Sequence, residues 1–407
     1  MDYQFHTSTA ADWDEIAQVM FEAFNDDVDE KAAEVERGVF EPERSVVAKL
    51  DGAIAGHAAT FTRDLAVPGG TVPAAHVTMV SVGATHRRQG LLTTMLGRLH
   101  ADAAERNEPI AVLWASEGKI YQRYGYGLAA QKLAFECRSS ELTWLTPSAP
   151  DPGRRRAVRS SAIEEFRDVY EAVWRDRPGY STRDDRWWTY VTSDVPSQRQ
   201  GRSALRAVVH EDASGRADGY LLWRVKGDWN DGGPVGTVLV RELVAANPTA
   251  YRSLWEFALS VDLTRNVRFG FAASDEPLQF MVTEPRRLEA KLTDALWVRV
   301  LDVPRALEAR RYAAPVDVVL DVTDARIPAN NGRWHLLADR DKSVCTATDA
   351  PTDLALDVAA LGAAYLGGTS LRTLAACDRV SELRSPALAI ASTAFGWPRD
   401  PSATEVF

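Results

Sequence analysis

Residues 80–99 read VSVGATHRRQGLLTTMLGRL. Val80-Ser81-Val82 closes an apolar strand, Arg87-Arg88-Gln89-Gly90 makes a basic turn, and Leu91-Leu92-Thr93 opens a helix with Leu92, Leu96 and Leu99 on one face. A strand, a glycine turn and a helix N-terminus in that order build an anion site. The first-turn N–H groups have no partners inside the helix, and the helix dipole favours negative charge there. Gly90 lets a phosphate approach the backbone because no Cβ intervenes. Arg87 and Arg88 add charge-assisted contacts. No Gly-Lys-Ser/Thr follows, which excludes a P-loop. The three spaced glycines of a dinucleotide fingerprint are also missing.

The turn resembles the Q/R-x-x-G-x-G/A pyrophosphate loop of the GNAT N-acetyltransferases, with Arg87 and Gly90 in place and Leu92 at the final small-residue position. Working outward, the order of elements fits that fold. A strand at Gln4–Thr7 precedes a helix with Ile16, Met20 and Phe24 at i, i+4, i+8. Strands at Val46–Leu50 and Ile54–Phe61 are joined at Asp51-Gly52, and a loop at Pro68-Gly69-Gly70 leads to His76–Val82. After the helix come a buried strand at Ile110–Trp114, a short helix near Gly118–Tyr124 and a last strand at Leu128–Cys137.

Thr146 to Gly153, with three prolines, reads as a linker, and Arg154-Arg155-Arg156 as a solvated domain start. The order then repeats. A helix at Ile163–Trp174, a hairpin at Leu205–His210 and Tyr220–Val225, and a strand at Val238–Val244 precede a helix from Pro248 and a strand at Val267–Phe271. Gly52 and Gly56 are echoed by Gly215 and Gly219, but Ala245-Ala246-Asn247-Pro248 replaces the basic glycine turn. This is a duplicated domain without its phosphate cradle. From Trp297 the pattern becomes α+β: a short helix at Val303–Arg311, strands around Val316–Val322, Arg333–Leu337 and Ser343–Thr348, and helices from Asp357 and Ser370. The predicted domains span residues 1–140, 154–293 and 294–407.

Bulk properties narrow the function. A chain of 407 residues needs two to three cores. Its net charge of -10 argues against nucleic acid as the main partner and favours a cationic ligand. Cys137, Cys345 and Cys377 are far apart, and the seven histidines lack ligand spacing, so neither a disulfide framework nor a metal site is expected. No signal peptide or spanning segment is visible, and the expectation is a cytoplasmic protein with no membrane role.

Together, Thr85–Leu92, Ala115-Ser116-Glu117-Gly118-Lys119-Ile120-Tyr121, Tyr124-Gly125-Tyr126-Gly127, Leu296-Trp297-Val298-Arg299, Asp302–Arg310 and Tyr365-Leu366-Gly367-Gly368 resemble the Eis (enhanced intracellular survival) family of bacterial N-acetyltransferases along the whole chain. The resemblance implies two tandem GNAT-like domains, the second degenerate, then a sterol-carrier-protein-like α+β domain, usually in a homohexamer. It implies acetyl-CoA as co-substrate, held by Val80, Ser81, Val82, Arg88, Gln89, Gly90, Leu91, Leu92, Thr93, Ser116 and Glu117, with no metal. The acceptor would be a small-molecule or lysine amine (aminoglycoside-, polyamine- or lysine-like).

Direct transfer needs an acid for the leaving thiolate. The family's Tyr-Gly motif falls at Tyr126, with Tyr121 and Tyr124 beside it. The general base of the family is the terminal carboxylate of a Phe, matched by Phe407. An α-carboxylate titrates near 3.3–3.7, so burial has to raise its basicity. Phe24 and Asp26 match positions lining the amine pocket. The acidic residue that precedes the terminal Phe in familiar members is Val406 here, with Glu405 one step earlier. Two other functions remain open on sequence: a sensor of acyl-CoA that binds lipid through its third domain, and a transferase for a different acyl group.

Overall fold

The structure is a computed structural model that describes residues 2–407. The first unit contains β1 (Gln4–Thr7), α1 (Trp13–Ala23), α2 (Glu30–Val39), β2 (Ser45–Leu50), β3 (Ala53–Val67), β4 (Gly70–Val82), α3 (Leu91–Glu105), β5 (Ile110–Trp114), α4 (Gly118–Tyr121) and β6 (Gly127–Leu128). Alternation in α1 buries Trp13, Ile16, Ala17 and Met20 against β3 and β4. Asp29 caps α2, its carboxylate accepting from the Ala32 N–H. The β3–β4 hairpin is longer than expected from sequence, and it closes at Gly69 with φ +67.

The second unit contains β7 (Gln131–Arg138), β8 (Arg154–Val158), α5 (Ile163–Glu171), α6 (Asp185–Val191), β9 (Arg206–Glu211), β10 (Ala217–Lys226), a ribbon of β11 (Trp229–Asn230) and β12 (Gly233–Pro234), β13 (Gly236–Ala245), α7 (Pro248–Leu259), β14 (Thr264–Ala273), α8 (Leu278–Met281) and β15 (Lys291–Asp294). The last stretch adds β16 (Leu296–Val300), α9 (Val303–Ala309), β17 (Val316–Thr323), β18 (Gly332–Ala338), β19 (Ser343–Ala347), β20 (Leu354–Asp357), α10 (Val358–Tyr365), α11 (Leu371–Ala375), β21 (Val380–Glu382) and α12 (Ala387–Phe395). Asp357 and Ser370 cap α10 and α11 as their sequence positions suggested.

Besides the β11-β12 ribbon, the described residues form three sheets, ordered β1-β2-β3-β4-β5-β16-β6, β15-β7-β14-β13-β10-β9-β8 and β19-β18-β17-β20-β21. The expected strand Leu128–Cys137 is therefore two strands in two sheets. It breaks at Ala129-Ala130, whose N–H groups both donate to the Leu296 carbonyl. β7 joins the second sheet, and β16 returns to the first between β5 and β6. The first sheet thus takes β16 from the last stretch, which ties that stretch to the first unit by backbone hydrogen bonds. The arginine run lies at the edge of the second sheet, with Arg154 and Arg155 exposed. It forms edge strand β8, with Arg154 and Arg156 both on the Glu211 carboxylate at 2.7 and 2.6 Å.

The third unit docks on the first sheet through α10, which is buried along its full length. Gly127 and Gly362 permit this, because a Cβ on either would collide with the carbonyl of Ala359 or Val298. The duplication reads equally well in packing. A Cβ on Gly56 would crowd the Ser81 carbonyl and reach ordinary contact with Leu91 and Met95 of α3, and one on Gly219 would crowd Leu254 and Ala250 of α7. In both units this glycine faces the helix that follows the forked strand. Among the described residues, no helix is long and apolar enough to cross a membrane.

Candidate active site

Parallel strands β4 and β5 pair only at Ala74↔Ile110, Ala75↔Ala111 and His76↔Val112. Beyond His76 they separate, although β4 runs on to Val82. A bulge helps to turn β4 away: His57 faces Ser81 and Ala59 faces Thr78, so Met79 and Val80 oppose Ala58 alone. Met79 takes φ +50, and its carbonyl accepts from His57 Nδ1 at 3.1 Å. Burial pushes His57 down to about 4, which keeps it neutral in this role. The edge of β4 from Val77 to Val82 that faces the fork has no strand partner. An extended amide-bearing chain can add there as a strand would.

At the mouth of the fork stands the glycine turn. Arg88 and Gly90 both have positive φ, +62 and +85. Gly90 is the N-cap of α3, and no side chain caps that helix. The N–H groups of Leu91, Leu92 and Thr93 are therefore available to a ligand, with exposed Arg88 and Gln89 beside them. Val80 and Val82 are half-buried and Ser81 buried, while Ser116 and Glu117 are exposed just past the end of β5.

The three tyrosines separate clearly. The Tyr124 hydroxyl lies 3.1 Å from Thr93 Oγ1, in the first turn of α3. The Tyr126 hydroxyl is 2.9 Å from His100 Nε2, deeper along the same helix, and Tyr126 has no exposed surface. Burial drives its pKa well above the usual phenol value, and the Arg299 charge does not offset this. Tyr126 is thus a core residue whose hydroxyl is held by His100 in this structure. Tyr121, on α4, packs edge-on against Tyr126 and hydrogen-bonds the Ser116 side chain beside the free end of β5. Burial raises its pKa above the ordinary value as well, opposed by that hydrogen bond.

The chain's last residues run between the first two units. The Ser402 N–H donates to the Pro178 carbonyl at 2.9 Å, and Arg177 Nη1 donates to the Asp400 carbonyl at 2.8 Å. Glu405 is buried between Arg63 of β3, at 2.7 Å, and Arg183, which also holds Glu242. Burial would raise its carboxyl, but the two guanidinium groups outweigh that and hold it far below the usual range. Glu405 is therefore an anchor and a poor base. Phe407 lands with its ring 4.7 Å from His76, the last paired residue before the fork opens. It also packs on an apolar cluster that includes Trp13, Phe40, Phe61, Met79 and Trp187.

One residue on this cluster escaped the sequence reading. Glu36 of α2 is half-buried, and the Tyr190 hydroxyl donates to it at 3.3 Å; Tyr190 packs on the same cluster as Phe407. Burial pushes the Glu36 carboxyl up to about 7, with the Tyr190 hydrogen bond opposing. Its neighbours in sequence give no hint, since EKAAEVERGV reads as a charged surface helix. Only α6 folding over it creates the burial. Phe24 and Asp26 are exposed on the turn after α1, and among the described residues no side-chain hydrogen bond or ring contact joins them to Phe407.

A forked sheet with an uncapped helix N-terminus at its mouth defines an acetyltransferase of the GNAT class, and the comparisons agree. Residues 4–129 and 179–300 each match an acetyltransferase (GNAT) domain, and residues 303–404 match a sterol carrier protein domain. An uncharacterized N-acetyltransferase of Streptomyces avermitilis is 43% identical over 357 residues, covering 87% of both chains. N-acetyltransferase Eis of Mycobacterium tuberculosis is 32% identical over 403 residues, 95% of both chains. The crystal structure of Eis1 from Mycobacterium abscessus superposes with a TM-score of 0.85 at 29% identity and covers both chains in full. An N-acetyltransferase from Anabaena variabilis, at 19% identity and a TM-score of 0.86 with both chains covered in full, shares the fold. The chain belongs to the Eis family of N-acetyltransferases, and it is an acetyltransferase of the kind that takes its acyl group from acetyl-CoA.

Proposed function

We propose that the chain transfers acetyl directly from acetyl-CoA to a primary amine at the β4/β5 fork, with Tyr121 as acid and the Phe407 carboxylate as base. The observation that carries this reading is the seat of Phe407 on His76, where the fork begins. The pyrophosphate of the co-substrate would meet the N–H groups of Leu91 to Thr93 and the guanidinium of Arg88, and its pantetheine amides the free edge of β4. The attacking amine gives its proton to the Phe407 carboxylate as the nitrogen–carbon bond forms. The carbon–sulfur bond then breaks, and the Tyr121 hydroxyl passes its proton to the thiolate.

A raised phenol pKa is compatible with this role. Low dielectric in the fork penalises the thiolate as it penalises the phenolate, so both compete for the proton on similar ground. The acceptor we favour carries a second positive charge. Glu36 accepts from Tyr190, which packs on the cluster that bears Phe407, and has no cation paired to it among the described residues.

For assembly we propose a homohexamer. Exposed Leu145, Phe280 and Leu292 of the second unit, with β15 as an unpaired sheet edge, offer apolar surface for self-association. Light scattering of the purified chain tests this.

Extending the chain beyond Phe407 by a short tag tests the base. The tag converts the carboxylate into a peptide bond, and a misplacement of about 1 Å already costs roughly 10²-fold. Turnover should fall by at least about that factor, with acetyl-CoA affinity unchanged by calorimetry. Full turnover in the extended protein removes the carboxylate from the mechanism.

A further inference from the structure

The second unit keeps a cavity where its phosphate turn has gone. Parallel strands β13 and β14 pair from Gly236↔Thr264 to Val240↔Phe269 and then separate, as β4 and β5 do. A bulge again sits at the parting, because Trp223 faces Val240 and Leu222 faces Glu242, leaving Arg241 unopposed. Between the free ends lies a cavity of about 110 Å³, closed by Tyr251 of α7, by Glu276 and by the tail at Arg399 and Thr404.

The charge of its walls does not cancel. Glu242 is paired with Arg183 at 2.7 Å, and Arg177 with Asp275 at 2.6 Å. Arg241 and Arg399, exposed at the mouth, have no hydrogen bond or salt bridge among the described residues. Partial burial of the guanidinium and the neighbouring Arg177 disfavour the charge on Arg399, against Asp275 and Asp176, which favour it. The remaining acid, Glu276, is buried and accepts from the Tyr251 hydroxyl and the Leu278 N–H. Burial pushes it up to about 7, so it cancels only part of the two arginines.

The interior is apolar on one side, at Phe269 and Phe271. An apolar cavity of about 150 Å³ holds benzene, so this one suits a ligand of roughly four to six heavy atoms. We propose that the β13/β14 fork is a second ligand site, which binds a small monocarboxylate with its charge at Arg241 and Arg399 and its apolar end against the phenylalanines. The occupant would also meet Thr404, whose hydroxyl accepts from Arg183 Nη2 at 2.7 Å, the side chain that anchors Glu405. The site therefore adjoins the segment that carries Phe407.

Calorimetric titration of the full chain, with the first fork saturated by coenzyme A, tests this with acetate, propionate and pyruvate as probes. Propionamide and propylamine serve as neutral and cationic counterparts. At least one carboxylate should bind at one site per chain with a Kd of about 1 mM or tighter, and propionamide should bind at least about tenfold more weakly. Arg399→Gln, at an exposed position, should fold normally and weaken the carboxylate about tenfold or more. Arg241→Gln should do the same, with the far-ultraviolet spectrum of both variants unchanged. The proposal is overturned by any of three results: no carboxylate binding up to about 10 mM, equal or tighter binding of propionamide or propylamine, or unaltered binding in both folded variants.

Discussion

The two GNAT units are built on one plan and differ most at a single helix end. In the first, α3 begins at Gly90 with no side-chain cap, and its leading N–H groups face an exposed basic turn. In the second, α7 begins with Pro248 at its first position, and Asn247 accepts from the Ala250 N–H. Proline has no N–H to offer, and the asparagine satisfies another. The difference teaches that a phosphate cradle is a helix N-terminus left unsatisfied on purpose. Once its donors are satisfied from within, the same fork has nothing to hold a pyrophosphate, while the packing marked by Gly56 and Gly219 persists.

Filling the first cradle should break the comparison most completely. In Gly90→Val a branched side chain is forced to φ +85 and stands where phosphate must approach. Calorimetry should show acetyl-CoA binding lost outright, whereas the parent chain binds one molecule. Two equivalent sites in the parent would mean that the second fork is not degenerate.

Next come the tyrosines, because the first fork alone has an acid to lose. Tyr121→Phe should lower kcat by about 10²–10⁴-fold with little change in acetyl-CoA affinity. Tyr126→Phe should leave kcat nearly intact and instead cost about 1–3 kcal/mol of stability by stranding His100, read from urea unfolding. The reverse pattern would return the acid to Tyr126.

A smaller effect is expected at Glu36. Its carboxyl is raised to about 7, so the charged form gains population as pH rises through that value. Tyr190 faces it directly, and the charges of Arg241 and Glu405 act on that same tyrosine. KM for a diamine should therefore fall between about pH 6 and 8, and Glu36→Gln should abolish that slope. At the upper pH the variant's KM should be raised about tenfold, with KM for a monoamine unaffected. A parallel loss for both amines would make Glu36 structural. Smallest of all, Asn247→Ala removes a cap and should cost about 0.5–2 kcal/mol in unfolding without creating a second coenzyme site.

Much of the site was legible in the sequence because it is local. The glycine turn, the strand end before it and the helix after it are contiguous, so periodicity and turn chemistry suffice to read them. The caps at Asp357 and Ser370 and the echo of Gly56 in Gly219 are local in the same sense. The tyrosine assignment shows where such reading stops. Tyr121, Tyr124 and Tyr126 fall within six residues, and nothing in their spacing says which hydroxyl reaches Ser116, Thr93 or His100. Those partners lie in the loop after β5 and at two places along α3.

The sequence by itself determined the class of fold, the duplication and the anion-binding turn, since each depends on neighbours within one or two turns of chain. Tertiary structure alone decided which strand joins which sheet, because nothing in the local pattern of β7 or β16 specifies its partner strands. It decided that Glu405 is a clamp between Arg63 and Arg183, from opposite units and 342 and 222 positions away in the chain. It also decided that Glu36 is half-buried beside Tyr190. Charge, burial and reach are properties of surroundings, and these surroundings are assembled from segments that never meet along the chain.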